Sequence, residues 1–420
     1  MIEKYFKKPE TWDRIRACWL FEPIRRYIAW LHKNAYADSN IRRRVPVLMR
    51  FAEYAQKRGA KTWEDLPHQV PPFADRWLRS RKEAFTDKRP PSQVEKEFRQ
   101  PIEQMLRLVL PAFATSARRQ SRYPFADQAP GFVGHLLKER GLSQCTLQLY
   151  AVTLRRLERY LERVGRTAIS DLTPARLTAF VTERGQRMRK NSMATVCAAV
   201  RVFLRYAYRE KLISRDLSGH VQRPRYYRLS TIPRSIPWAE VQRMLEGVDR
   251  RSAVGKRDYA ILLLLVAYGL RSREVAALTL DNIDWQKELV RVPARKAGHS
   301  SAFPLSPIVG AAIIDYLKNA RPKTANRHVF ISAVAPFRAC GHPCVSARAT
   351  HYLRKAHIAV PHPGSHTLRH TCVQRLVDAQ FPLKTIGDYV GHSSPDSTMI
   401  YTKIDVEALR EMAVHGEEIL

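Results

Sequence analysis

The stretch His366-Thr367-Leu368-Arg369-His370-Thr371 decides how the rest of the chain is read. His366 and Arg369 stand three residues apart. The apolar spacing Leu368, Val373, Leu376, Val377 predicts a helix opening near Thr367, and residues i and i+3 share a helix face. An imidazole and a guanidinium would then point at one small volume. The forked donors of a guanidinium suit a phosphate, and an imidazole beside it can move a proton. A further helix is predicted from Pro382 to Val390, stopping at Gly391, a residue type favoured just past a helix end. His392 follows directly, and Tyr401 lies nine residues later in the helical run that Pro395 opens. The stretch thus offers two histidines, an arginine and a tyrosine, with no acidic pair to hold a metal.

Composition narrows the partner. The chain has 420 residues, enough for two or three domains with real cores, and 45% hydrophobic residues, which predicts a globular protein. Lys and Arg number 72 against 39 Asp and Glu, a net charge of +33. That excess exceeds what solubility needs and favours a polyanion, of which nucleic acid is the commonest. The six cysteines are scattered and make no disulfide framework in a chain this long, which fits a reducing cytoplasm. The N-terminal residues lack an apolar signal core. The longest apolar run, Tyr259 to Leu270, is too short to span a bilayer and predicts a buried core helix, so no membrane association is expected.

Taken in order, residues 1–125 read as mostly helical. A pattern over Ile24 to Trp77 recurs 106 positions later: Leu48 with Leu154, Tyr54 with Tyr160, Gly59 with Gly165, Asp65-Leu66 with Asp171-Leu172. This suggests a degenerate copy of one helical module. Two amphipathic helices with a glycine stop can align this well without a common origin, and Pro46 falls where the second copy has helix interior. Residues 126–222 form a cleaner helical unit. Arg155 and Arg159 lie opposite its apolar positions 147, 150, 154, 157, 161 and 164. On a later helix Arg201, Arg205 and Arg209 recur every fourth residue, a stripe that repels itself unless anions lie along it or acids such as Glu210 pair with it. Residues 223–237 read as a basic linker with Arg223, Arg225 and Arg228, in which Pro224, Pro233 and Pro237 forbid a continuous helix. A second domain is expected over 238–420. Its helices are placed at 238–247, 256–269, 272–279, 308–319, 346–357, 367–380, 382–390 and 395–403. Two strands, Leu289-Val-Arg-Val and Ser301-Ala-Phe-Pro-Leu, flank a turn at Ala297-Gly298-His299, with Lys296 at its edge.

Tyr268-Gly-Leu-Arg271-Ser-Arg-Glu274-Val resembles the first arginine box of the tyrosine recombinase, or phage integrase, family. His366-Thr-Leu-Arg369 resembles its H-x-x-R box, and Val390-Gly391-His392 through Ile400-Tyr401 its terminal box, with the matching spacing. Lys296 stands where that family has its hairpin lysine. The resemblance covers about 130 to 410. The fold expected is mainly α with a small β-hairpin sheet in the catalytic domain: a helical core-binding domain and a mixed C-terminal domain forming a clamp on DNA.

What the resemblance implies is DNA strand transfer. Cutting and rejoining DNA without ATP needs a covalent link that conserves the phosphodiester energy, and a tyrosine phenol can supply it as a 3′-phosphotyrosine. Phenol, with a pKa near ~10, needs help with its proton. The family implies Tyr401 as nucleophile, His366 as assisting base and His392 as a phosphate-oxygen contact. Arg271 and Arg369 would clamp the nonbridging oxygens, and Lys296 would protonate the leaving 5′ oxygen. No metal and no cofactor is expected. Cys340-Gly-His342-Pro-Cys344, with His351, His357 and His362 after it, does not have the usual metal-ligand spacing. The partner implied is double-stranded DNA at specific recombination sites, bound by a tetramer, with sister recombinases as further candidates. The tail, with Ile404, Leu409 and Met412, reads as a last amphipathic helix able to dock on a neighbouring protomer.

Taken singly, each residue has a plainer reading. Arg271 could cap the C-terminal end of its own helix, Glu274 could buttress an arginine, and Tyr401 could simply pack. Two rival functions share the charge and the arginine stripes: a catalytically inactive accessory DNA-binding protein of a mobile element, and a topoisomerase using the same tyrosine chemistry.

Overall fold

The structure is a computed structural model that describes residues 2–84, 91–111, 113, 123–186, 188–224, 235–293 and 301–391. Lys296, His392, Tyr401, the tail, and Arg225 and Arg228 of the linker lie outside these residues. The described chain is mainly helical with one three-stranded antiparallel sheet. Packing divides it into two compact units, Ala112–Ser230 and Met1–Pro111 with Thr231–Leu420. No described helix is long and apolar enough to cross a membrane.

In the first 111 residues, helix Phe21–Lys33 buries Ile24, Tyr27, Ile28 and Leu31, and helix Asp38–Lys57 buries Ile41, Val45, Leu48, Phe51 and Ala52. Both follow the three-four spacing of an amphipathic helix. Pro46 sits inside the second helix without ending it. Arg44 Nη1 donates to the Tyr27 hydroxyl and to Gln104 Oε1, both at 2.7 Å, which ties in helix Pro91–Val109. The turn before helix Leu66–Ala84 is fixed by Asp65, whose Oδ2 accepts from the backbone of Lys61 and Thr62 at 3.0 and 2.9 Å.

The unit Ala112–Ser230 is a helical array. Ser143 Oγ caps helix Gln144–Arg163, and Thr173 Oγ1 caps helix Pro174–Gly185, each accepting a backbone N–H at 3.3 Å. Helix Lys190–Arg209 buries Val196, Val200, Phe203, Leu204 and Ala207, and the Phe203 ring meets Phe125 and Phe132 at 4.9 and 5.1 Å.

In the C-terminal region, helix Ala253–Ala267 is buried on all sides from Ala260 to Val266, so the expected core helix is present. It starts three residues before the expected position because Ser252 Oγ accepts from the Gly255 N–H at 3.0 Å. A Cβ on Gly255 would meet the Asp249 carbonyl oxygen at 1.9 Å, so only glycine fits that cap. Strands β1 (Ile283–Asp284), β2 (Leu289–Val292) and β3 (Ser301–Pro304) form the sheet, with Val290 opposite Phe303 and Val292 opposite Ser301. Helices Pro307–Asn319, His342–Lys355 and Ser365–Asp378 contribute with the central helix and the sheet to one hydrophobic core. Within that core Arg257 and Asp258 are paired at 2.7 Å, and the Tyr352 hydroxyl donates to Asp258 Oδ2 at 3.3 Å. A buried charge pair is tolerable only when its remaining hydrogen-bond capacity is also met, and these contacts do that.

Candidate active site

Helix Ser365–Asp378 places His366 and Arg369 on its first turns. It is held at its start by Thr371, whose Oγ1 accepts from the Ile236 N–H at 3.0 Å and donates to the Thr367 carbonyl at 3.1 Å. The Arg375 guanidinium lies over the Trp238 ring, 3.7 Å from its centroid, a cation–π contact at the surface.

Arg369 is buried, with 5% of its surface accessible. Its Nη1 donates to the Gly269 carbonyl at 2.6 Å and its Nη2 to the Val390 carbonyl at 2.7 Å. Arg271 stands at the N-terminal boundary of the short helix Ser272–Ala277. Its Nη1 donates to Glu274 Oε1 at 2.8 Å, and its backbone N–H donates to Glu274 Oε2 at 2.8 Å. Glu274 is therefore the buttress the sequence suggested. Arg271 Nη2 donates to the Gly391 carbonyl at 2.7 Å. The capping alternative thus takes another form: Arg271 stands at the start of its own helix, and the C-terminal helix end that it satisfies is that of Leu383–Val390, 120 residues away in sequence. Two guanidiniums from separate boxes meet on consecutive carbonyls, Val390 and Gly391, directly before His392.

Two glycines make this meeting possible. Gly391 ends its helix at φ 67° and ψ 54°, the left-handed conformation that turns its carbonyl toward Arg271. Gly269 has φ 58°, and a Cβ there would meet Cys372 Sγ at 3.2 Å and Val390 Cγ1 at 3.3 Å. Gly269→Ala therefore adds both backbone strain and crowding at the residue whose carbonyl holds Arg369. We expect it to destabilise the protein by about 1–3 kcal/mol. Thermal unfolding of parent and variant measures this, and an unchanged Tm would contradict the strained contact.

His366 keeps an exposed surface. Even so, desolvation by the surrounding protein, and then the charges of Arg369 and Arg271, hold its pKa below the ordinary histidine value. The ring is thereby kept neutral and able to accept a proton. Burial pushes the neighbouring Cys372 thiol up to about 11, so it is a packing group and not a nucleophile. The Tyr268 hydroxyl donates to the Pro304 carbonyl and accepts from the Ser306 N–H, both at 2.8 Å. It fixes the end of strand β3 to the first arginine box. Neither that tether nor the carbonyls at 269, 390 and 391 were anticipated from residue types. Glycines beside both boxes were the available signal.

The basic residues singled out on the helical unit behave differently from one another. Arg159, Arg205 and Arg223 are exposed, and Arg155 is half-buried. Arg201 Nε donates to the Val221 carbonyl at 2.7 Å, and Arg205 Nε to Ser218 Oγ at 3.4 Å. Arg209 is paired with Glu139 at 2.6 Å and with Glu210 at 2.9 Å.

Comparison with known proteins follows the same division of the chain. Residues 234–408 match the phage integrase family, and residues 130–211 match the SAM-like N-terminal domain of phage integrases. A putative integrase/recombinase, y4rA, of Sinorhizobium fredii is 35% identical over 281 residues, covering 67% of this chain and 68% of the relative. The tyrosine recombinase XerC of Pelobacter propionicus is 28% identical over 295 residues, covering 69% of this chain and 94% of that protein. Among solved structures, the XerH site-specific recombinase on a palindromic difH substrate, a post-cleavage complex, superposes with a TM-score of 0.55 at 15% identity, covering 83% of this chain and 96% of that one. A lambda integrase dimer on a COC′ core site gives 0.53 at 16% identity, covering 72% and 86%. At these identities the structural likeness speaks for the fold.

Proposed function

This chain belongs to the phage integrase family and is a tyrosine-type site-specific recombinase acting on DNA; on that premise we propose that it breaks and rejoins strands through a 3′-phosphotyrosine on Tyr401. The observation that carries this reading is the convergence of Arg271 and Arg369 on the Val390–Gly391 peptides, with His366 on the same helix as Arg369. Charge grows on the nonbridging oxygens as the phenol oxygen attacks phosphorus. Two guanidiniums positioned beforehand stabilise that charge with little further movement of their own. Neutral His366 accepts the phenolic proton, His392 holds a phosphate oxygen, and Lys296 gives a proton to the departing 5′ oxygen. The bond broken is P–O5′ and the bond formed is P–O of Tyr401. The energy of the first is kept in the second, so no nucleotide is consumed.

On this reading Met1–Phe125 is an additional helical region and a degenerate copy of the core-binding module. Residues 126–222 are the core-binding module, 223–237 a basic connector, and 238–420 the catalytic domain. Arg155, Arg159, Arg201, Arg205, Arg209, Arg223, Arg225 and Arg228 serve the duplex backbone. The two modules close on DNA as a clamp. Four protomers, or this chain with sister recombinases, pair two sites of a bacterial mobile element in the cytoplasm.

Covalent trapping tests the chemistry. A labelled duplex from the end of the chain's own element is nicked just past the cleavage point, so that the 5′ fragment is lost and religation fails. A protease-sensitive protein–DNA adduct is expected. Tight binding of the verified end with no adduct would transfer the chain to the class of inactive accessory DNA-binding proteins.

The lowered pKa of His366 gives a second test. The cleavage rate at limiting protein reports the free enzyme, so it should be flat from pH 8 to about 6.5 and fall only below that value. The stability linked to this group has the same sign. The unfolded chain takes up the proton first, so the contribution is complete above the unfolded pKa and is lost as pH falls through the folded one. His366→Gln should remove the acid limb and cost roughly 10²-fold in rate. An acid limb centred above the ordinary histidine value would count against His366 as the base.

A further inference from the structure

A cleft of about 810 Å³ opens between helices Asp38–Lys57 and Leu66–Ala84, outside both family-matched regions. Arg50, Lys57, Arg58, Arg76 and Arg79 line it, with Glu53 as the lone carboxylate of the lining. The Arg50 guanidinium lies 5.4 Å from the Trp77 ring centroid, and those of Arg58 and Arg76 each lie 5.7 Å from that of Tyr54. A guanidinium attracted to a ring in this way still has N–H groups available to an anion.

Among the described residues none of the five cations is in an ion pair. Arg58 Nε donates to neutral Gln69 at 3.1 Å, and Arg79 Nε to the Asp75 carbonyl at 3.4 Å. Nearby cations of the same region are neutralised: Arg25 and Arg26 by Glu22, Arg99 by Glu95 and Glu103, Arg107 by Glu103. The cleft gathers five cations without an ion pair among the described residues; Arg42 and Arg43 of helix Asp38–Lys57 also make none, but they do not line it.

A second observation is the internal repeat. Helix Asp38–Lys57 and helix Gln144–Arg163 each have 20 residues, and both ends are displaced by 106. The glycines that follow, Gly59 and Gly165, have φ 83° and 71°, and the short turns Trp63–Asp65 and Ile169–Asp171 keep the same displacement. At that displacement Tyr54 corresponds to Tyr160, Lys57 to Arg163 and Trp77 to Glu183. In the second array Arg163 lies over Tyr160 and is paired with Glu183. The counterpart of the cleft is thus closed by its own carboxylate, where the N-terminal array has an indole and unpaired arginines.

We propose that this cleft seats the sugar–phosphate backbone of duplex DNA, at phosphates other than the one clamped by Arg271 and Arg369. Met1–Pro111 is then a second DNA-gripping array. The inference rests on the reading that the chain acts on DNA. The guanidinium edges meet phosphate oxygens, and no base edge is read, so the contact is independent of sequence.

The test uses the full chain and a random-sequence 60-base-pair duplex, with affinity measured by fluorescence anisotropy across a KCl series. Each phosphate contact contributes about −0.9 to the slope of log K against log salt. The triple variant Arg50→Ala/Arg58→Ala/Arg76→Ala should therefore flatten the slope by roughly 2–3 and weaken binding at low salt by about 10²-fold. Arg50→Lys/Arg58→Lys/Arg76→Lys should retain most of the slope. Arg25→Ala/Arg99→Ala/Arg107→Ala, which removes paired cations, should leave it unchanged. Circular dichroism confirms that each variant is folded; if the alanine triple is not, the lysine triple and charge reversal at Arg58 alone carry the comparison. A parent slope that the triple variant does not alter overturns the cleft as a DNA contact while leaving the recombinase reading intact. That outcome includes the case in which the cleft holds an acidic protein segment. A parent chain that binds no duplex at all overturns both.

Discussion

Tyr401→Phe is expected to abolish the covalent protein–DNA adduct while leaving DNA affinity within about twofold of the parent, since one hydroxyl among many phosphate contacts is removed. On the proposed mechanism the phenol oxygen is the atom that bonds to phosphorus, and neither Cys372 nor His366 is expected to replace it. Cys372 is buried and its thiol is held in the neutral form, and His366 is assigned to the proton. Loss of the nucleophile should lower strand cleavage by at least ~10⁴-fold, the scale seen when a covalent catalyst loses its attacking atom. The measurement is adduct formation on the nicked duplex beside anisotropy on the same duplex. An adduct that survives the substitution would remove Tyr401 from the mechanism. Mixing Tyr401→Phe with Arg271→Ala protomers then reads the geometry of delivery. Restored cleavage means that the tyrosine crosses to a neighbour's arginines, and its absence means that each protomer uses its own.

Arg369→Ala comes next in size, and it acts twice. The buried guanidinium satisfies the carbonyls of Gly269 and Val390, and alanine leaves both without these donors. Charge-assisted bonds of this kind are worth about 1.5–3 kcal/mol, so a loss of about 2–4 kcal/mol in stability is expected. Catalysis suffers separately, because the transition-state charge loses a fixed donor pair, which predicts roughly 10³-fold slower cleavage at a temperature where the variant is folded. Arg369→Lys separates the two effects. It keeps the charge but not the fork, and should recover part of the rate and little of the backbone tethering. Thermal unfolding and single-turnover cleavage on the three proteins make the comparison. Equal losses for Lys and Ala in both readouts would reduce Arg369 to a purely structural residue.

The amphipathic helices and the two longer strands were legible in the sequence because burial imposes a period. Leu289–Val292 and Ser301–Pro304 lie where alternation put them. Strand Ile283–Asp284 was missed, since two residues carry no period. Helix His342–Lys355 begins four residues earlier than expected: Gly341-His-Pro343 reads as a break, yet Pro343 occupies the first helical turn, where its missing N–H costs nothing. Helix Ser365–Asp378 likewise starts before Thr367. The arginines and His366 were legible by type and spacing. What anchors them was not, because the acceptors are backbone carbonyls, which every residue has and no residue type advertises. The same limit applies to the N-terminal cleft. Its arginines have no spacing that singles them out in the sequence, and packing places them around two rings.

The pinning of Arg271 and Arg369 onto Gly391 and Val390 also bears on how the protein behaves when idle. A bare arginine pair would scavenge inorganic phosphate and nucleotides, which are abundant in any cell. Here the resting pair already faces oxygen dipoles supplied by the chain itself, and a small anion must compete with them unaided. A duplex arrives with many phosphates held elsewhere and needs to win only the last exchange. On the proposed reading the internal carbonyls set a threshold that a lone anion has to overcome and that a polymer already held at many phosphates passes more easily.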